Sequence, residues 1–139
     1  MAEIIFILGG ARSGKSSHAV RIAKDSGGRT AFIATCEPGD EDLEKRVARH
    51  KRERPRAWKT FEEPEKVATL LGKIRGKFDV ILIDCLTLFT SNLLLKGHSE
   101  KAIKSEVSRL LSAIRKGRSK AILISNEVGL GVHPETKLG

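Results

Sequence analysis

Apolar residues in this chain gather in short unbroken runs rather than alternating with polar ones. IIFILG (4–9), TAFIAT (30–35), DVILID (79–84) and KAILIS (120–125) are rich in Ile, Val and Leu, and each ends on a polar or small residue. A strand with one face in water alternates, whereas a run that is apolar position after position reads as a parallel strand covered on both faces. Helical patterns lie between the runs. Lys15 to Asp25 stops at Gly27–Gly28, and glycine just past the last turn is a C-terminal stop signal. Asp40 to about Glu53 opens with acids, which suit a helix N-terminus, and ends before Pro55. Pro64 to Arg75 opens with proline in its first turn, where helices tolerate it. Leu86 to Leu95 and Ser99 to Lys116 follow. Strand alternating with helix predicts an α/β fold, a mainly parallel sheet with helices on both faces. No repeat, low-complexity tract or linker interrupts it, so 1–139 reads as a single domain. Beyond the fourth run, NEVGLGVHPETKLG is a glycine-rich loop with no closing element.

One loop carries a specific chemistry. GGARSGKS (9–16) fits G-x-x-x-x-G-K-[ST], follows a predicted strand and opens a predicted helix, the context this motif requires. Gly9, Gly10 and Gly14 let the backbone turn tightly and aim N–H groups inward, with Ala11, Arg12 and Ser13 completing the loop. The helix N-terminus adds its dipole at the same spot, so the loop suits a phosphate chain. Lys15 is expected at the β- and γ-phosphates and the Ser16 hydroxyl on Mg²⁺. Asp84, ending the apolar run DVILID, is the carboxylate expected to organise that ion.

The second candidate is KRVARHKRERPRAWK (45–59), with eight Lys or Arg and a single histidine, His50. On a helix, Leu43 and Val47 share one face and His50 sits at its edge. Arg46 and Arg54 flank His50 by four positions on either side. Neighbouring cations disfavour the imidazolium and lower the histidine's pKa. A neutral imidazole is a usable nucleophile, and the flanking arginines are suited to holding a triphosphate. Charge pattern alone favours a solvated basic helix. Trp58, just downstream, reads as a packing anchor.

Composition narrows the partner. Hydrophobic residues make up 40% and charged residues 31%, as in a soluble globular domain. No apolar run nears the roughly 20 residues needed to cross a bilayer, and MAEIIFILGG lacks the basic start of a signal peptide. Cys36 and Cys85, the only cysteines, form no metal-ligand cluster and fit a reduced, cytoplasmic setting. A net charge of +9 calls for an anionic partner, nucleic acid or a phosphate-rich small molecule. Five Phe, one Trp and no Tyr leave few platforms for base stacking and weigh against nucleic acid.

In order along the chain, GGARSGKS, FIATCEPGDEDLEKRVARHKRERPRAWKTFEEP, ILIDCLTLFTSNLL and ISNEVGLGVHPE resemble the adenosylcobinamide kinase/adenosylcobinamide-phosphate guanylyltransferase family of cobalamin synthesis. The resemblance spans nearly the whole chain. The combination R-x-x-x-H-x-x-x-R-P, L-x-x-x-N-L-L and S-N-E-V-G is far more specific than a phosphate loop alone. It implies a bifunctional enzyme with a RecA-like P-loop fold, usually a homotrimer. That enzyme phosphorylates adenosylcobinamide with a nucleoside triphosphate, ATP or GTP. It then transfers GMP from GTP onto the phosphate through a covalent guanylyl-histidine. The matching histidine is His50. Gly9, Gly10, Arg12, Ser13, Gly14, Lys15 and Ser16 match the phosphate loop, and Asp84 matches the acid ending the third run. Glu62 and Glu63 match an acidic patch suited to ribose or base. Asn92, Asn126 and Glu127 match signature positions near the active site. The family continues past S-N-E-V-G into a further helix and strands, so the resemblance also implies a chain short at its C-terminus. Two simpler expectations stand beside it: a monofunctional small-molecule kinase with His50 as bystander, and a nucleic-acid-binding ATPase with 45–59 as its patch.

Overall fold

The computed structural model describes residues 3–9, 14–36 and 54–126. Its centre is a five-stranded, wholly parallel sheet: β1 (Ile4–Gly9), β2 (Thr30–Ala34), β3 (Lys59–Glu62), β4 (Val80–Asp84) and β5 (Lys120–Asn126). The spatial order is β1-β5-β4-β2-β3. The helices are α1 (Lys15–Ser26), α2 (Val67–Ile74), α3 (Leu86–Leu95) and α4 (Glu100–Lys116). This is the expected α/β architecture, a RecA-like P-loop fold in which β5 separates the strand feeding the phosphate loop from the strand ending in Asp84.

Two apolar layers hold the sheet. On one face, Ala19, Val20 and Ala23 of α1 pack on Phe32, Leu82 and Ile122. On the other, Leu71, Phe89, Leu93, Leu110 and Ile114 cover Ile33, Ile83 and Leu123. β2 is buried from end to end, and β4 and β5 are buried over Val80–Ile83 and Ala121–Ile124, as their apolar runs require. β1 departs from that reading. It is an edge strand, and on the face shared by α2, α3 and α4 its Phe6 and Leu8 are 52% and 70% exposed.

Beyond one-residue shifts at several element ends, three features differ from the sequence reading. β2 ends at Ala34, and Thr35 turns to bond Asp84 and Cys85 instead of extending the strand. Lys59–Glu62 is a fifth strand that the sequence reading lacks. α2 begins at Val67 rather than Pro64. Residues 63–66 form a turn in which the Glu63 carboxylate accepts the backbone N–H groups of Glu65 and Lys66 (3.2 and 2.9 Å), and the Leu70 N–H donates to the Lys66 carbonyl at 3.0 Å as the helix starts. α4 starts where expected, with the Ser99 hydroxyl accepting from the Ala102 N–H at 3.1 Å. The predicted helix 40–53 lies outside the described residues.

The register sets the functional end of the sheet. Gly9 lies opposite Asn126, Ile124 opposite Asp84, and Ala34 opposite both Asp84 and Glu62. The carboxyl ends of all five strands therefore share one rim. α1 leaves β1 across one face while α2 and α3 lie on the other. The crevice outside the carboxyl ends, where connections leave to opposite faces, is where open α/β sheets bind ligands.

Candidate active site

Gly14 is the N-cap of α1, at φ 79° and ψ 12°. That left-handed conformation is open to glycine and strained for other L-residues. Glycine supplies no side-chain cap, and the first turn of α1 holds no acid, so the positive helix end is presented as an anion site. Lys15 and Ser16, the first two residues of α1, stand at this rim.

Ser16 and Asp84 are 68 positions apart in sequence, and the Ser16 hydroxyl donates to Asp84 Oδ2 at 3.0 Å. The fold thus brings together the two residues the sequence singled out for a metal ion. A hydroxyl beside a carboxylate is a hard-oxygen donor set that suits Mg²⁺. Among the described residues no cluster of three or more His, Cys, Asp or Glu could enclose a metal. An ion here would complete its shell with water and phosphate oxygens, the usual habit of Mg²⁺.

Asp84 is held from the next strand. The Thr35 N–H donates to the Asp84 carbonyl at 3.0 Å. The Thr35 hydroxyl accepts from the Cys85 N–H (2.9 Å) and donates to the Cys85 carbonyl (2.8 Å). Thr35 is wholly buried, and its role was missed in the sequence. The available signal was a polar residue ending an apolar run, the same signal that marked Asp84. Cys85 caps α3, its Sγ accepting from the Leu88 N–H. Burial pushes its thiol up to about 11, so it stays protonated and is no nucleophile at neutral pH.

Arg54 is the surprise. Expected to flank His50 and hold a triphosphate, with a solvated basic run as the competing reading, it is 6% exposed. Its guanidinium lies 3.7 Å from the centre of the Phe32 ring. Among the described residues, none of its three nitrogens has a hydrogen-bond partner. Burial lowers its pKa, and the charge of Asp84 acts in the opposite direction. Stacking on Phe32 offsets part of the desolvation cost but leaves the guanidinium nitrogens buried and without an acceptor among the described residues.

The acidic pair divides. Glu63 spends its carboxylate on the turn before α2. Glu62, at the end of β3, is exposed, with no hydrogen bond or ion pair to its carboxylate among the described residues. Trp58 packs against the α1-side core, as an anchor should. His50, Arg46, Gly10, Ala11, Arg12, Ser13 and Glu127 lie outside the described residues. No described helix is long and apolar enough to cross a membrane.

A family model for cobinamide kinase/cobinamide phosphate guanyltransferase matches residues 5–139. The chain is 43% identical over 128 residues to the bifunctional adenosylcobalamin biosynthesis protein CobP of Pseudomonas aeruginosa, covering 92% of this chain and 73% of that protein. It is 33% identical over 147 residues to the bifunctional adenosylcobalamin biosynthesis protein CobU of Escherichia coli, covering 97% of this chain and 81% of that one. Among solved structures, an ATPase from the type III secretion system of pathogenic bacteria matches with a TM-score of 0.65 at 16% identity. That match covers 91% of this chain and 45% of the other, and at such identity the likeness is one of fold alone.

Proposed function

The chain belongs to the cobinamide kinase/cobinamide phosphate guanyltransferase family, and from that premise we propose that it catalyses two successive transfers. The first moves the γ-phosphoryl group of a nucleoside triphosphate onto the hydroxyl of adenosylcobinamide. The second moves GMP from GTP onto the new phosphate, giving adenosylcobinamide-GDP for cobalamin biosynthesis. The observation that carries this reading is the 3.0 Å contact between Ser16 and Asp84 at the mouth of the phosphate loop.

In the first reaction the protein mostly positions and neutralises. Phosphoryl transfer needs its oxygens held in line and their charge balanced. Lys15 and the loop amides grip the triphosphate, and Ser16 and Asp84 would hold Mg²⁺. Bound there, the ion supplies charge neutralisation at the phosphate oxygens. In the second reaction His50 attacks the α-phosphorus of GTP. A P–N bond forms as the P–O bond to pyrophosphate breaks. An oxygen of the cobinamide phosphate then attacks the same phosphorus, the P–N bond breaks and neutral imidazole is restored. Two such steps suit a nucleophile whose pKa neighbouring cations depress. Glu62 is the acid available to the GTP ribose or base. Assembly as a homotrimer and a cytoplasmic location complete the proposal.

Arg54 serves this site as a phosphate donor kept dry before substrate arrives. A buried guanidinium without hydrogen bonds destabilises the free protein. Arg54→Met is therefore expected to stabilise the nucleotide-free chain by about 1 kcal/mol. The same change should weaken GTP binding by about 30-fold, the scale of a lost charge-assisted hydrogen bond. Thermal melting with and without GTP checks both signs. A variant less stable than wild type but unchanged in GTP affinity would make Arg54 a packing group.

Mass spectrometry of the products tests the function as a whole. With adenosylcobinamide and ATP the chain should add one phosphate, and with GTP it should then add GMP. Phosphate addition alone would favour a monofunctional kinase. Strongly salt-dependent nucleic-acid binding without either product would favour the ATPase.

A further inference from the structure

α3 reads LTLFTSNLLL and is apolar nearly all round, yet Asn92 sits in it 3% exposed, beside the buried Leu93. A carboxamide buried without partners is costly, and leucine would be the ordinary residue on such a face. Asn92 uses both of its N–H groups. Nδ2 donates to the Thr35 carbonyl at 2.7 Å and to the Pro64 carbonyl at 3.0 Å. These carbonyls follow the ends of β2 and β3, neighbouring strands whose last residues, Ala34 and Glu62, are in register. One side chain therefore ties together the two strand exits at the functional rim.

We propose that Asn92 is a positioning residue for guanylyl transfer, fixing the β3 exit, and with it Glu62, relative to Asp84. The inference rests on the functional reading above. It follows from an asymmetry between the two ends of the bridge. Thr35 is fixed independently by three hydrogen bonds to Asp84 and Cys85. The β3 exit has fewer ties. Among the described residues, the Glu63 N–H donates to the Ala34 carbonyl at 2.9 Å, the Glu63 carboxylate bonds within its own turn, and Glu65 makes a solvent-screened ion pair with Lys96 at 3.6 Å. Removing the Asn92 amide thus leaves the Ser16–Asp84 centre in place and loosens the segment carrying Glu62.

The test compares the two reactions in Asn92→Ala, and in Asn92→Ser, which keeps one donor. In the alanine variant the GTP KM of guanylyl transfer should rise about tenfold, the scale of one lost hydrogen bond to a neutral group. Its kcat, and both constants of the kinase reaction, should stay near wild type. The serine variant should fall between. Hydrogen exchange gives a second readout: the amides of Glu63 and Lys66 should exchange faster, and that of Phe89 at wild-type rate. Equal losses in both reactions, unchanged exchange at 63–66, or failure of both variants to fold would make Asn92 a core-stabilising group and overturn the proposal. A wild-type chain without guanylyl transfer would instead sink the functional reading, and the exchange pattern would still decide the role of Asn92.

Discussion

Asp84→Asn should lower the turnover of cobinamide phosphorylation by about 10³-fold, the equivalent of about 4 kcal/mol of transition-state stabilisation. The substitution is nearly isosteric. The asparagine oxygen can still accept from the Ser16 hydroxyl, which now donates to Asp84 Oδ2 at 3.0 Å. What disappears is the negative charge that would hold a divalent cation against the phosphate chain. The backbone around position 84 is fixed by Thr35, so the fold should persist, but loss of the charge that favours the buried Arg54 guanidinium should lower the melting temperature. Steady-state kinetics with saturating Mg²⁺ and ATP checks the rate, and circular dichroism checks the fold. Turnover within tenfold of wild type would remove Asp84 from the proposed centre.

His50→Ala should reduce GMP transfer by about 10⁴-fold or more, as loss of a covalent nucleophile does. Phosphorylation of adenosylcobinamide should continue in the same variant, because Lys15, Ser16 and Asp84 are untouched. Divergence between the two reactions is the informative result. A bystander histidine predicts near-normal rates in both, and a histidine that only packs predicts parallel losses. Separate assays of the two half-reactions, starting from adenosylcobinamide and from its phosphate, distinguish these outcomes.

Legibility in the sequence followed the range of the forces involved. The central strands declare themselves because a strand covered on both faces must be apolar throughout, as Val80–Ile83 is. Lys59–Glu62 escaped because a four-residue edge strand, KTFE, alternates and carries two charges. Pro64 misled because a proline in the turn before a helix looks the same in sequence as one inside its first turn. The phosphate loop and Asp84 were readable because motif spacing encodes their chemistry, and the fold brings Ser16 and Asp84 into contact. The burial of Arg54 was not readable. Its ring partner, Phe32, lies on another element, and a run of eight cations reads as solvated when its charge is considered alone. Thr35 and Asn92 belong to the same class, since their partners lie far along the chain.

The most direct measurement follows the α-phosphate of GTP. The wild-type chain is incubated with GTP labelled there, without cobinamide, and then chased with unlabelled adenosylcobinamide phosphate. A guanylyl-histidine intermediate should appear as an acid-labile, base-stable label on the protein that moves into adenosylcobinamide-GDP during the chase. A protein that stays unlabelled while still making that product would contradict it.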